Sequence, residues 1–125
     1  MKQLLVVANT MKDENLIVAG QVKEYLERHG AASQIVEDAE HIPESLTAEG
    51  AIVLGGDGTM LRASKRLAPQ GIPMIGMNLG TVGFLAEIEP SDMEAALSRL
   101  IADEYQMEER MRLKGLIWHG GQVVM

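Results

Sequence analysis

A chain of 125 residues with 46% hydrophobic and 23% charged residues and a mean hydropathy of +0.02 has the make-up of a globular domain with a sizeable core. A net charge of −7 excludes general nucleic-acid binding, which needs a basic face, and the absence of cysteine excludes disulfide frameworks and thiolate metal sites. No apolar stretch approaches the length of a membrane span, so the chain is expected to be cytoplasmic with no membrane partner.

Gln3 to Ala8 is a continuous apolar run and reads as the first strand of a buried parallel sheet rather than as a leader, because it stops at Asn9 and a charged amphipathic helix follows. Asp13 is the expected N-cap of that helix. Val18, Val22, Tyr25 and Leu26 form its apolar stripe and Gly30 ends it. Ala32 to Val36 is a weak second strand, and Glu37 to Glu49 is an acidic loop with room for one helical turn. Ala51 to Leu54 is the third strand.

The stretch that follows carries the most chemistry. Gly55-Gly56-Asp57-Gly58-Thr59 joins a buried strand to a helical pattern in which Met60, Leu61, Ser64, Leu67 and Ala68 share one periodicity. An Asp-Gly pair also suits a hairpin turn, but no alternating strand follows Thr59. A strand, a glycine turn and a helix start together present backbone N–H groups to phosphate, and glycine lets a ligand approach the bare chain. Asp57 repels phosphate and fits better as a group facing a hydroxyl or a metal ion. Thr59 serves either as a cap or as a phosphate ligand. Arg62 either reaches back to a phosphate or stays in solvent, while Lys65 and Arg66 read as surface charges.

Gly71 closes this helix, and Ile72 to Gly76 reads as the fourth strand. The loop Met77-Asn78-Leu79-Gly80-Thr81-Val82-Gly83-Phe84-Leu85 follows it directly. Asn78 either reads a ligand hydroxyl or ties its own turn, Gly80 and Gly83 give backbone freedom, and Phe84 either stacks on a purine or plugs the core. Ser91 with Glu94 has capping-box spacing ahead of a helix whose buried face is Met93, Ala96, Leu97, Leu100 and Ile101. Four alternations of strand and helix predict a Rossmann-like α/β fold, a parallel sheet with helices on both faces. Both glycine loops lie at carboxyl ends of strands, where such sheets bind ligands, so they can line one crevice.

Beyond Asp103 the pattern changes. Arg110 to Lys114 alternates charged and apolar residues as an antiparallel strand does. Gly120-Gly121 marks a turn, and Val123 to Met125 opens a return strand. Residues 1–103 are therefore expected to form the α/β nucleotide-binding domain and residues 104–125 the start of a truncated, β-rich second domain. His29, His41 and His119 are scattered without ligand spacing, and no metal site is expected from side chains.

Taken together, the two glycine loops resemble those of the NAD kinase family. Gly55 to Thr59 with Leu61 and Arg62 is shared more widely, with diacylglycerol and sphingosine kinases and, in a related form, phosphofructokinases. The loop from Gly76 to Leu85, with Asn78, Gly80 and Phe84, is what points to NAD kinase. The resemblance implies phosphoryl transfer from ATP or polyphosphate to the 2′-hydroxyl of the adenosine ribose of NAD, giving NADP. Mg2+ would accompany the donor, Asp57 would be the base, and Asp57 and Gly58 would contact the dinucleotide. Leu61, Arg62 and Phe84 would lie around the same site. It further implies a homo-oligomer whose site is completed by a second domain, so that the chain alone would be inactive. The alternatives are a lipid or sugar kinase of the wider group and a nucleotide-binding module without catalysis.

Overall fold

The structure, a computed structural model, describes residues 1–9, 16–39, 42, 48–79, 92–104, 106–110 and 113–117; for Asp57, Asn78 and the two segments beyond residue 105 it describes the backbone only. In chain order the elements are β1 (Gln3–Val7), α1 (Ile17–Arg28), β2 (Ala32–Val36), β3 (Gly50–Gly55), α2 (Asp57–Leu67), β4 (Met74–Asn78), α3 (Met93–Ile101), β5 (Gln106–Arg110) and β6 (Leu113–Ile117). The sheet order is β2-β1-β3-β4-β6-β5. The first four strands are parallel, with Val6 opposite both Ile35 and Ile52, and Ile52 opposite Ile75.

Alternation along the strands sorts the core into two layers. Leu4, Val6, Ile52, Leu54, Ile75 and Met77 face α1 and α3, meeting Ala19, Val22, Leu26, Ala96, Leu97 and Leu100. Leu5, Val7, Ala51, Val53 and Met74 face α2, meeting Met60, Ala63 and Leu67. Both faces are covered, which is why β1 and β3 read as unbroken apolar runs rather than alternating ones. The expected fold class, an α/β parallel sheet with helices on both faces, is the one observed.

Several boundaries differ from the sequence reading. The fourth strand begins at Met74 rather than Ile72, because Pro73 has no N–H to give; its carbonyl instead accepts from Ala51 N at 2.9 Å. The strand runs on to Asn78, which is therefore a strand residue and not a loop residue. Helix α1 starts behind Leu16, which takes a left-handed conformation at φ 56°. The expected cap, Asp13, lies outside the described residues. Asp92 precedes α3 without a side-chain cap bond, and Ser91 is likewise outside the description. Gly30 follows α1 at φ +88°, as a helix-ending glycine should.

Of the predicted strand Arg110–Lys114, Arg110 ends β5 while Leu113 and Lys114 begin β6; the two strands are antiparallel, with Arg110 opposite Leu113, and β6 meets β4 in parallel at Met74 opposite Gly115. Gly120, Gly121 and Val123 to Met125 lie outside the described residues. The amino end of the chain is tied down at α3: the Met1 ammonium donates to Leu100 O at 2.8 Å and Ile101 O at 3.2 Å and pairs with Asp103 Oδ1 at 2.5 Å. A cation on the last carbonyls of a helix is favoured by the helix dipole.

Candidate functional site

The site is built where β3 becomes α2. Gly55 ends the strand at φ +153°, a backbone region that suits glycine; a Cβ there would stand 2.6 Å from Thr59 Oγ1. Gly56 is the N-cap, extended at φ −110° and ψ −167°, and makes no side-chain cap bond because it has no side chain. Its carbonyl accepts from Met60 N at 3.0 Å, the first bond of the helix ladder. The N–H groups of Asp57, Gly58 and Thr59 therefore precede that ladder and point out of the helix start, at the positive end of the α2 dipole. This is the geometry that receives an anion.

Thr59 is the third residue of α2 and not its cap, which removes one of its two sequence readings. Its side chain is buried, at 3% exposed. Asn9 Nδ2 donates to Thr59 Oγ1 at 2.8 Å, and Arg62 Nη2 approaches the same oxygen at 3.4 Å. Arg62 thus leans back along the helix toward its start, and a Cβ on Gly58 would lie 3.3 Å from Arg62 Nη1. Leu61, which the periodicity placed among the apolar residues of the helix, is 54% exposed instead. The buried stripe of α2 is Met60, Ala63 and Leu67, one position round from it. Lys65 and Arg66 are exposed, as expected of surface charges.

The second loop starts beside the first. Asn78 is paired with Gly55 in the parallel ladder, and Leu79 N donates to Gly55 O at 3.3 Å. The backbones of the two sequence motifs are therefore adjacent at the carboxyl ends of β3 and β4. Gly80 and Phe84 lie outside the described residues, and the side chains of Asp57 and Asn78 are outside the description too, so their roles remain expectations from the sequence.

A cleft of about 400 Å³ opens at the carboxyl ends of β1 and β2, lined by Ala8, Asn9, Glu37, Asp38, Ala39, Thr59 and Arg62. Its position follows from topology. From β1 the chain crosses through α1 to β2 on one side, while β3 lies on the other and sends α2 to the opposite face. The strand order therefore reverses between β1 and β3, and a crevice is left there. Asn9, Glu37 and Asp38 were not singled out from the sequence. The usable signal was a polar residue standing just past the end of the first apolar run, plus the rule that such ends face the ligand crevice.

Comparison with known proteins agrees with this arrangement. The family described as ATP-NAD kinase N-terminal domain matches residues 40–105. An NAD kinase of Lachnoclostridium phytofermentans is 41% identical across 98% of this chain and 45% of its own length, and one of Moorella thermoacetica is 40% identical across 94% and 41%. The chain thus spans a little under half the length of these curated relatives. Among solved structures, an NAD kinase from Archaeoglobus fulgidus in complex with ATP superposes with a TM-score of 0.62 at 22% identity, over 91% of this chain and 45% of that one. Yeast NADH kinase complexed with NADH gives 0.53 at 16% identity over 87% and 40%. These two share the fold. From the family match over more than half its residues, the chain belongs to the ATP-NAD kinase N-terminal domain family.

Proposed function

We propose that the complete protein carrying this chain is an NAD kinase, moving the terminal phosphoryl group of ATP or polyphosphate to the 2′-hydroxyl of the adenosine ribose of NAD. The observation that carries the proposal is the junction of β3 and α2: a helix start with three leading N–H groups, bounded by Gly55 and lying against the backbone of Asn78 and Leu79. Phosphoryl transfer asks little covalent work of a protein; positioning and charge neutralisation dominate. The backbone of Gly55, Gly56, Gly58 and Thr59, with Arg62, would hold the phosphates. Asn78, Gly80, Leu61 and Phe84 would border the dinucleotide.

In the reaction the ribose 2′-oxygen attacks the terminal phosphorus, the bond to the bridging oxygen breaks, and the donor leaves one phosphate shorter. The proton of the hydroxyl goes to the carboxylate of Asp57, the first residue of α2. Among the described residues no three His, Asp or Glu side chains gather to cage an ion. Mg2+ would travel with the donor, held largely by its phosphate oxygens, and would neutralise charge there. A neighbour holding ATP and another holding NADH support a nucleotide donor and a dinucleotide acceptor. Residues 104–125 would begin a second, β-rich domain that completes the site, in a cytoplasmic homo-oligomer, and the chain alone would be inactive.

The test is direct: the complete protein is given Mg2+ with ATP or polyphosphate, and NAD, diacylglycerol or fructose 6-phosphate as acceptor. Formation of NADP alone is expected; a phospholipid or sugar bisphosphate product would move the protein to the wider kinase group, and no product with any acceptor would leave a binding module.

A further inference from the structure

We propose that Asn9 is a positioning residue for the phosphoryl donor, acting through Thr59 on the first turn of α2. The proposal rests on the kinase reading for its substrates. Asn9 stands just past the end of β1, and Ala8 N donates to Val36 O at 2.8 Å, so the backbone leading to it is pinned to the sheet. Its amide crosses the crevice to Thr59 Oγ1 at 2.8 Å. The crevice at the β1/β3 switch has no short chain connection across it. The strands pair beneath it, Val7 opposite Val53. Above that last pair, the Asn9–Thr59 bond ties one wall to the other.

Thr59 is held from three directions. Gly55 leaves it space that a Cβ would fill at 2.6 Å, Asn9 donates from β1, and Arg62 Nη2 approaches from the next turn at 3.4 Å. A hydroxyl has two acceptor positions and one proton. With both acceptor positions facing Asn9 and Arg62, the guanidinium is steadied on the cleft side of the helix, near the N–H groups that meet phosphate. Asn9 therefore sets the attitude of the phosphate-binding turn without needing to touch the acceptor dinucleotide. Asn9, Thr59 and Arg62 line the same cleft.

The experiment uses the complete protein with Asn9→Ala, Asn9→Asp, Thr59→Val and the Asn9→Ala/Thr59→Val pair. Steady-state kinetics are measured with Mg2+–ATP and NAD varied separately, alongside direct Mg2+–ATP binding and thermal unfolding. Asn9→Ala is expected to raise the KM for ATP about three- to tenfold, the worth of one neutral hydrogen bond. The KM for NAD should stay within about twofold. Asn9→Asp can still accept the Thr59 hydroxyl proton, so its unfolding midpoint stays near the parent's, but its charge should raise the KM for ATP more than alanine does. The double variant should be no worse than the worse single, since both changes remove one bond. Equal rises in both KM values, additive effects in the pair, or loss of thermal stability alone would overturn the proposal. If the parent binds Mg2+–ATP but does not phosphorylate NAD, the kinase reading fails while weaker ATP binding by Asn9→Ala still upholds the positioning role. A parent that binds no ATP overturns the positioning proposal, and the kinase reading falls as well only if polyphosphate yields no NADP either.

Discussion

Alanine at Gly55 concentrates the strain of the site in one methyl group. At φ +153° a side-chain-bearing residue pays the cost of a sparsely populated backbone region, about 1–3 kcal/mol. The added Cβ would also stand 2.6 Å from Thr59 Oγ1 and 2.8 Å from Thr59 Cβ. Thr59 is 3% exposed and can give way only toward the cleft it lines. Moving it stretches the bond from Asn9, now 2.8 Å, which contributes about 1 kcal/mol. Together these predict a loss of about 3–5 kcal/mol. Two other glycines separate the contributions. Gly30 also has positive φ, +88°, but a Cβ there meets nothing within 4 Å. Gly30→Ala should therefore cost only about 1 kcal/mol, from the backbone alone. Gly20 lies within α1 with nothing within 4 Å, so Gly20→Ala should stabilise by about 0.5–1 kcal/mol. Urea unfolding of the three variants beside the parent reads the order. Gly55→Ala falling within about 1 kcal/mol of Gly30→Ala would refute the close approach of Thr59 to the strand end, since the backbone cost alone would then suffice.

The other predictions concern the helices and the chemistry. Asp57→Asn in the complete protein should keep NAD affinity within about tenfold yet lower turnover by at least ~10²-fold, the range for a lost general base; unchanged turnover would remove Asp57 from the proton transfer. On α2, Leu67→Ala should cost about 2–5 kcal/mol in unfolding free energy, because Leu67 is fully buried. Leu61→Ala, at a residue 54% exposed, should stay within about 0.5 kcal/mol of the parent. Asp103→Asn removes the partner of the Met1 ammonium; because that carboxylate is 69% exposed, the loss should be about 0.5 kcal/mol and should shrink in high salt, as unfolding in low and high sodium chloride would register.

What the sequence made legible was what periodicity controls. Each strand of a sheet buried on both faces must be apolar throughout, so Gln3–Val7 and the core of Gly50–Gly55 stood out, and Ala32–Val36 was placed correctly although two of its five residues are exposed. The stripe on α3 was legible for the same reason: Ala96, Leu97 and Leu100 are buried as their spacing required. Helix starts were less legible, because they depend on single backbone conformations. Leu16 at φ 56° is a conformation that leucine rarely adopts and that no local pattern announces. On α2, the sequence grouped Leu61 with Met60, but a helix face about three residues wide cannot bury both neighbours when Ala63 and Leu67 complete the stripe. The glycine turn at the start of α2 was legible because its residue types are restricted. Asn9 was not, since its partner Thr59 is 50 positions away and only the parallel crossover brings the two together.

The acidity of the chain and its proposed handling of phosphates are reconciled by distance. Electrostatic influence in physiological salt fades over about 8 Å, so the net charge of −7 matters less than what stands at the crevice. On the outer face of α1, Glu24 and Glu27 are paired with Arg28 and Lys23 one turn away, and their charge is largely spent there. Among the described residues, the positive contributors at the crevice are the start of α2 and Arg62, and the carboxylates lining it, Glu37 and Asp38, follow β2 on the far wall of the cleft. A ligand that is anionic at one end and rich in hydroxyls at the other fits such a polarity.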